Sequence, residues 1–227
     1  MNRITNLLTE AGFVRTEQPV SYPIIVHAVP GAGKTTLLKE IAKTEGVSVY
    51  TLTNSVHSDI GGQLIKKFEG KLEGKINILD EYLFQEVDIS AFDLVLSDPF
   101  QSSIKPKFRA HYINNKSFRF GEEIAAFLRT IGFDIQGNHE IQSEVKVSGL
   151  FEGEVRGKII VLDQPVQDLL VRHNTVGSFP CEVAGLEFEE VTVLSSKDTL
   201  SASDPNSSSV FIALTRARKS LNVLLNK

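Results

Sequence analysis

The stretch Pro30-Gly31-Ala32-Gly33-Lys34-Thr35-Thr36 decides the fold, because it lies between a short apolar run, residues 22–29, and a segment of helical composition, residues 35–43. Glycines in such a loop allow successive backbone N–H groups to converge on a phosphate, and the following helix directs the positive end of its dipole at the anion. The order strand, loop, helix predicts a phosphate-binding loop, or P-loop. An incidental glycine-rich turn is the alternative.

The P-loop residues have separate roles in this prediction. Lys34 neutralises the charge on the β- and γ-phosphates, and the Thr35 hydroxyl is a ligand for Mg²⁺. Ala28 stands where the full pattern has its first glycine. Contacts to ATP or another nucleoside triphosphate are assigned to Gly31, Ala32, Gly33, Lys34, Thr35 and Thr36.

Two carboxylates, Asp80 and Glu81, follow the apolar run of residues 76–79, which is where a P-loop sheet delivers its second catalytic element. Asp80 is predicted to hold Mg²⁺ through its water shell, and Glu81 to accept a proton from the attacking water as a general base. Gln101 follows another apolar run, residues 94–97, and its uncharged amide is suited to registering the γ-phosphate. The alternatives are an acidic pair that caps a helix and an ordinary Asp98-Pro99 turn.

Apolar runs alternate with longer connecting segments along the whole chain, which predicts an α/β fold with parallel sheets covered on both faces. In the second half, strands are predicted at residues 109–113, 158–162, 190–194 and 221–225, and helices at residues 121–130, 164–171 and 210–218. Residues 142–157 are interpreted as a hairpin and residues 198–209 as a mobile surface loop. The expected division is into residues 1–108 and residues 109–227.

The bulk composition excludes several classes of protein. The chain has 227 residues, 41% of them hydrophobic, and a formal net charge of -4, so nucleic acid is expected to bind only at a local groove or patch. The single cysteine, Cys181, cannot form an internal disulfide and is expected to be packed, which favours a reducing cytosol. No segment has the pattern of a secretory signal or a membrane span, so a soluble cytoplasmic protein is expected.

Six motifs follow one another along the chain. They are the P-loop, Asp80-Glu81, Ser97-Asp98-Pro99-Phe100-Gln101, Ser117-Phe118-Arg119-Phe120-Gly121, Gly185-Leu186-Glu187-Phe188 and Ala213-Leu214-Thr215-Arg216. This ordered series resembles superfamily-one RNA helicases over nearly the whole chain, and Ser97 and Ala184 depart from the usual pattern. The small size of the chain and the sequences of two motifs, Phe-Arg-Phe-Gly and Gly-Leu-Glu-Phe, resemble one branch in particular, the first triple-gene-block movement proteins of filamentous plant viruses, of the potexvirus and carlavirus type.

The family resemblance implies a minimal helicase core of two RecA-like lobes, without accessory domains, that bind nucleotide in the cleft between them and single-stranded nucleic acid across both. It implies that Arg119 and Arg216 are arginine fingers for the transferred phosphoryl group and that Glu187, with Gly185, contacts the nucleotide ribose. A surface salt bridge is the alternative for each arginine. Residues at the family's phosphate-backbone position are Thr51, Thr53 and Asn54.

The resemblance also implies a biological role. The expected function is an NTPase and RNA helicase of a plant RNA virus that acts in cell-to-cell movement of viral RNA and suppresses host RNA silencing. The expected partners are single-stranded RNA, virions and other viral movement proteins, with self-association left open, in the host cytoplasm and at plasmodesmata. The alternatives are a nucleotide-gated RNA- or virion-binding movement factor in which hydrolysis is secondary, and a P-loop kinase, which accounts for the first motif only.

Overall fold

The computed structural model describes residues 2–54, 56–59 and 62–227. The chain divides into two compact units, residues 1–115 and residues 116–227. The division falls after Asn115 and not after residue 108, because residues 112–114 form a strand of the first unit's sheet. Each unit has its own sheet and its own buried apolar residues.

The first unit is an α/β structure built on one sheet. Its elements are α1 (Asn2–Glu10), β1 (Val14–Arg15), β2 (Ile24–Ala28), α2 (Lys34–Ala42), β3 (Val47–Thr51), β4 (His57–Asp59), β5 (Gly62–Lys67), β6 (Ile76–Asp80), β7 (Leu94–Ser97) and β8 (Tyr112–Asn114). Among the described residues the sheet has eight strands in the order β1-β8-β2-β7-β6-β3-β5-β4. The edge strands β1 and β4 pair antiparallel and the others pair parallel.

The two faces of the first sheet are covered differently. On one face, Ile25, Leu79 and Val95 pack against Leu83 and Phe92, which lie in the irregular segment between β6 and β7. Helix α2 buries Leu37, Leu38 and Ile41, and it contacts β3, β5 and α1. In the described part of the chain, no helix lies between β6 and β7 or between β7 and β8, and aromatic and aliphatic side chains of these irregular segments pack on the sheet instead.

The second unit also has parallel strands. Its elements are β9 (Lys116–Gly121), α3 (Glu122–Thr130), β10 (Gln136–Asn138), β11 (Glu144–Gly149), β12 (Lys158–Val161), α4 (Gln164–Arg172), a 3-10 helix (Pro180–Val183), β13 (Phe188–Ser195), α5 (Ser207–Leu214) and β14 (Ala217–Leu225). Strands β9 and β10 form a two-stranded parallel sheet, and the others form a four-stranded parallel sheet in the order β11-β14-β13-β12.

Two expectations for the second unit are corrected by this topology. The hairpin expected at residues 142–157 is wrong, because β11 is a single strand that pairs parallel with β14. The last helix lies earlier than residues 210–218, since α5 begins at Ser207, within the expected loop, and β14 already begins at Ala217. Strand β14 lies between β11 and β13 and is buried as a central strand. This tertiary burial determines the conformation of its first residues, although the apolar spacing there is also compatible with a helix.

The core of the second unit depends on its two central strands. Val191 and Val193 of β13 and Leu221 and Val223 of β14 are fully buried, as expected for parallel strands. Helix α4 begins after Asp163, whose side chain accepts a hydrogen bond from Val166 N and so caps the helix. Within the part of the chain that the structure describes, no helix has the length and apolar character that a bilayer span requires.

Candidate nucleotide site

The P-loop connects the end of β2 to the start of α2. Gly31 and Gly33 have φ angles of 76° and 86°, in the left-handed region that favours glycine, and Gly33 caps α2 without a side chain. The Lys34 ammonium donates hydrogen bonds to the carbonyl oxygens of Ala28 at 3.0 Å and Val29 at 3.4 Å. The Lys34 ammonium is therefore hydrogen-bonded to backbone carbonyl groups at the start of the loop. It lies at the N-terminus of a helix, where an anion is favoured.

Asp80 ends β6 and is buried, with 7% of its surface exposed. Its Oδ1 atom is the one buried side-chain oxygen or nitrogen, among the described residues, that lacks a hydrogen-bond partner. Burial and the neighbouring Glu81 charge hold the pKa of Asp80 well above its usual range, although Lys34 acts in the opposite direction. A buried carboxylate oxygen without a partner is costly, and a bound cation is one way to satisfy it.

Glu81 follows directly and has a left-handed backbone conformation, with a φ angle of 55°. This conformation is uncommon for a residue with a side chain and costs roughly 1–2 kcal/mol. The Ser97 hydroxyl donates to Glu81 Oε2 at 3.0 Å, so the end of β7 holds the carboxylate. Strands β6 and β7 are neighbours in the sheet, which is why Asp80, Glu81 and Ser97 meet.

Asp98 holds Gln101 in place. The Gln101 side-chain amide donates to Asp98 Oδ2 at 2.9 Å, and Phe100 N donates to Asp98 Oδ1 at 2.9 Å. Burial raises the pKa of Asp98 to about 6 against the attraction of Lys34. Sequence reasoning treated Asp98 only as part of a motif or a turn. The signal for its role was an aspartate directly after β7, a short strand of three apolar residues and one serine that is fully buried, where a carboxylate needs a partner.

The residues of this site fit Mg²⁺ bound with phosphate. The ion prefers oxygen ligands and usually keeps several waters, with one or two protein ligands plus substrate phosphates. The unpartnered Asp80 oxygen and the Thr35 hydroxyl at the start of α2 are donors of this kind. Among residues 2–54, 56–59 and 62–227 no cluster of three His, Cys, Asp or Glu side chains could hold a metal by itself.

The second unit brings together the residues that the resemblance singled out there. Arg119 on β9 forms an ion pair with Glu187, Nε to Oε1 at 2.8 Å, and donates through Nη1 to the Thr215 carbonyl at 3.3 Å. Gly185 has a φ angle of 82° in the turn before Glu187. Arg119 and Glu187 are 68 positions apart in the sequence, so the sequence alone does not show that they are in contact.

Arg216 is almost fully buried, with 1% of its surface exposed. Its Nε donates to the Ile212 carbonyl at 3.0 Å, Nη1 to the Leu186 carbonyl at 3.2 Å and Nη2 to the Thr215 hydroxyl at 3.1 Å. The guanidinium thus joins the end of α5 to the turn before β13. The structure gives Arg216 a structural role, and its role as an arginine finger stays a prediction.

The three residues predicted to contact nucleic acid lie at the end of β3. Thr51 is fully buried, and its hydroxyl lies 3.1 Å from the Thr53 hydroxyl and accepts from Thr53 N. Asn54 is exposed, and its Oδ1 accepts from the Lys67 ammonium at 2.9 Å. Thr53 and Asn54 are therefore placed to offer donors at the surface, whereas Thr51 supports the turn from inside. Cys181 was expected to be packed, but it is exposed.

Comparison with known proteins places the chain among viral helicases. The viral superfamily 1 RNA helicase core domain matches residues 24–225. The movement and silencing protein TGBp1 of Apple stem pitting virus (isolate PA66) is 38% identical over 230 residues, covering 100% of both chains. The protein of the same name from Papaya mosaic potexvirus is 33% identical over 225 residues, covering 99% of this chain and 95% of the relative.

Solved helicase structures share the fold at low sequence identity. A complex of Arterivirus nonstructural protein 10 (helicase) with DNA has a TM-score of 0.62 at 15% identity, covering 97% of this chain and 62% of that one. The PRRSV helicase has a TM-score of 0.60 at 18% identity, covering 89% of this chain and 52% of that one. The chain thus spans only part of the length of these helicases. The resemblance to superfamily-one helicases and the α/β fold with parallel sheets are confirmed, and the chain belongs to the viral superfamily 1 RNA helicase family.

Proposed function

We propose that this chain is a Mg²⁺-dependent nucleoside triphosphatase of the RNA-helicase type. The observation that carries the proposal is the buried Asp80 oxygen without a partner, in the unit where Lys34 and Glu81 act on the same carboxylate. A buried carboxylate that only stabilised the fold would have both oxygens hydrogen-bonded. We infer further that the two compact units are the two RecA-like lobes of a minimal helicase core.

Each residue of the site then has a chemical task. The backbone N–H groups of residues 31–36 and the Lys34 ammonium bind the phosphates, and Glu81 accepts the proton of the attacking water. Gln101, held by Asp98, donates to the γ-phosphate or orients the water. Mg²⁺, when bound at Thr35 and Asp80, neutralises charge on the phosphates.

The second unit supplies the remaining groups in this proposal. A loose phosphoryl-transfer transition state spreads charge over the γ-phosphate oxygens, and a planar guanidinium offers two donors to it. Arg119 and Arg216 are the arginines proposed for this task. Glu187 accepts hydrogen bonds from the nucleotide ribose beside Gly185, after the ion pair with Arg119 has opened.

The relatives suggest the biological setting. Proteins 38% and 33% identical to this chain over nearly their whole length are named movement and silencing proteins. We infer that this chain acts in the movement of viral RNA between plant cells and in silencing, in the host cytoplasm and at plasmodesmata. Single-stranded RNA is the inferred ligand, contacted by Thr53 and Asn54 with support from Thr51, and virions and other movement proteins are the inferred partners.

A second candidate is a nucleotide-gated RNA- or virion-binding movement factor in which hydrolysis is secondary. It is favoured by the hydrogen bonds of Arg216, whose guanidinium is already satisfied within its own unit. An arginine held in this way must leave three acceptors before it reaches a phosphate. A virus that carries Glu81→Gln separates the two: loss of cell-to-cell spread with intact RNA binding indicates a motor, and normal spread indicates a binding factor.

Steady-state ATP hydrolysis with Mg²⁺, with and without single-stranded RNA, tests the first candidate. Lys34→Ala is expected to abolish turnover, because the P-loop loses its phosphate-neutralising charge. Lys43→Ala is the matched control, since Lys43 lies just past the end of the same helix and pairs at the surface with Glu40 at 3.0 Å. Equal rates of hydrolysis by the wild type and Lys34→Ala would refute the assignment of Lys34 to the nucleotide site.

A further inference from the structure

An aromatic pair of a half-buried histidine and a buried tyrosine lies beside the nucleotide site. His27 Nε2 lies 2.7 Å from the Tyr82 hydroxyl, and the two rings stack with centroids 6.0 Å apart and an interplanar angle of 12°. Tyr82 is 6% exposed and belongs to the apolar cluster on one face of the first sheet. Neither residue belongs to the phosphate-binding or metal-binding set described above.

The pair connects the two segments that carry the chemistry. His27 lies on β2 directly before the P-loop, and Tyr82 follows Glu81 after β6. Strand β7 lies between these two strands, and its Ser97 is the register partner of His27. The contact between His27 and Tyr82 therefore passes over the end of β7, where Ser97 also donates to the Glu81 carboxylate.

The turn that contains Glu81 needs such support. Its left-handed backbone is unfavourable for glutamate and persists only where the surroundings enforce it. Tyr82 N donates to the Leu96 carbonyl at 3.2 Å, which fixes the backbone directly after Glu81. The Tyr82 side chain, hydrogen-bonded to His27, is a second contact that holds the same residue.

Both members of the pair are uncharged near neutral pH. Burial lowers the pKa of His27 to about 4 and raises that of Tyr82 above its usual range. A neutral imidazole and a phenol each offer one donor and one acceptor, so the two can form a hydrogen bond without a counter-ion. Its loss would leave the buried Tyr82 hydroxyl without this partner.

We propose that His27 and Tyr82 form a positioning pair that fixes Glu81 relative to the P-loop. This inference rests on the proposed function, in which Glu81 accepts the proton of the attacking water. A general base contributes only where it reaches that proton, and small displacements from this position reduce the rate steeply. The pair thus acts through Glu81 and does not touch the nucleotide itself.

The kinetic test compares Tyr82→Phe with Tyr50→Phe in ATP hydrolysis. Tyr82→Phe keeps the ring but removes the hydroxyl, and it is expected to lower kcat about tenfold with KM changed less than about twofold. Tyr50 is also buried, and its hydroxyl accepts from Glu73 N at 2.7 Å away from the P-loop. Tyr50→Phe is therefore expected to keep wild-type kcat although it loses a comparable hydrogen bond.

His27 supplies the second half of this test. His27→Phe is expected to lower kcat as Tyr82→Phe does, and the double variant to be no worse than either single one, because the hydrogen bond is lost only once. His27→Gln, whose amide still pairs with the Tyr82 hydroxyl, is expected to recover most of the rate. Wild-type kcat in Tyr82→Phe, or losses that multiply in the double variant, would overturn the proposal.

A stability cycle tests the pair without any hydrolysis. Glu81→Gly and Glu81→Ala both remove the carboxylate, but only glycine tolerates the left-handed backbone. The urea midpoint of the glycine variant is therefore expected to exceed that of the alanine variant, and this difference is expected to shrink when Tyr82→Phe releases the turn. An unchanged difference would refute the positioning role. If the wild type hydrolysed no nucleotide while the difference shrank, the proposed function would fail and the pair would stand.

Discussion

Asp80→Asn is predicted to make the nucleotide-free protein more stable. The wild-type carboxylate is buried beside Glu81 and has an oxygen without a partner, and the Lys34 charge and a backbone hydrogen bond from Glu81 offset these costs only in part. Replacing it by the isosteric amide removes the desolvated charge and the like-charge repulsion. The pKa of Asp80 rises from 3.8 to about 7, so at ~1.4 kcal/mol per pKa unit the ionised carboxylate costs about 4 kcal/mol at pH 8. The amide adds N–H donors that also need partners, at a cost of ~1–3 kcal/mol, so the net gain in unfolding free energy is expected to be about 2 kcal/mol.

Thermal unfolding at pH 8 in the presence of a metal chelator measures this gain. For a chain of this size, about 2 kcal/mol corresponds to a rise in Tm of roughly 5 °C. Addition of Mg²⁺ with a non-hydrolysable ATP analogue is expected to reverse the order, because a ligand at 100 times its Kd stabilises the folded wild type by about 2.7 kcal/mol. The variant without its metal ligand gains less from the same addition.

Asp93→Asn is the matched control for this experiment. Asp93 is partly buried, and its Oδ2 accepts from Asn77 N at 2.8 Å, so it is a satisfied carboxylate in the same unit. Its replacement is expected to leave stability unchanged or to lower it, and to leave hydrolysis intact. If Asp80→Asn destabilised the nucleotide-free protein, Asp80 would be a structural residue. If it hydrolysed ATP at the wild-type rate, the metal-binding role would be excluded.

Two further predictions concern the P-loop and its strand. Gly33→Ala is expected to lower the unfolding free energy by about 1–2 kcal/mol in urea titrations, because Gly33 has a φ angle of 86° although no atom lies within 4 Å of an added Cβ. An unfolding free energy of Gly33→Ala equal to that of the wild type would contradict this reason. The pKa of His27 falls from 6.5 to about 4 on folding, so the unfolded state binds more protons between these values, and stability is lost as pH falls below 6.5. His27→Gln has no such titration. The difference in unfolding free energy between this variant and the wild type is therefore expected to grow by at most about 3 kcal/mol between pH 7 and pH 4. Stability curves of the two proteins that stay parallel over this range would refute the prediction.

The sequence predicted the first unit best where local pattern and tertiary structure agree. Strands β2, β6 and β7 and helix α2 are observed within about two residues of the predicted positions, because each strand is an apolar run with a turn at its end and the helix follows the P-loop. Helix α1 was missed because residues 2–10 mix polar and apolar residues and bury only Ile4 and Leu8. Strand β5 was missed because residues 62–67 lack a continuous apolar run, although Ile65 is buried beside β3.

In the second unit, the sequence pattern located several strands and motif residues but did not show which strands pair or which side chains are in contact. Alternating residues in β11 are equally consistent with a hairpin and with a parallel strand, and the choice depends on β14, far away in the chain. The ion pair between Arg119 and Glu187 has the same origin, since β9 and the turn before β13 meet only in the folded unit. A motif can assign both residues to one function without showing that they bind each other.

In the first unit, the two residues with energetically unfavourable features in the structure are the same two that the sequence pattern assigns to catalysis. The unpartnered oxygen belongs to Asp80, the strained backbone belongs to Glu81, and both follow one apolar strand. Neither feature benefits the fold, and features of this kind persist where function requires them.

The second unit differs, because the guanidinium groups of Arg119 and Arg216 already have hydrogen-bond acceptors within that unit. Arg216 bonds three acceptors and is buried, so its removal is expected to damage the fold and the activity together. Arg119 keeps 11% of its side chain exposed and pairs with a carboxylate that is 39% exposed. Since an ion pair of this kind opens at a modest cost, Arg119 is the arginine whose part in hydrolysis can be measured without unfolding the protein.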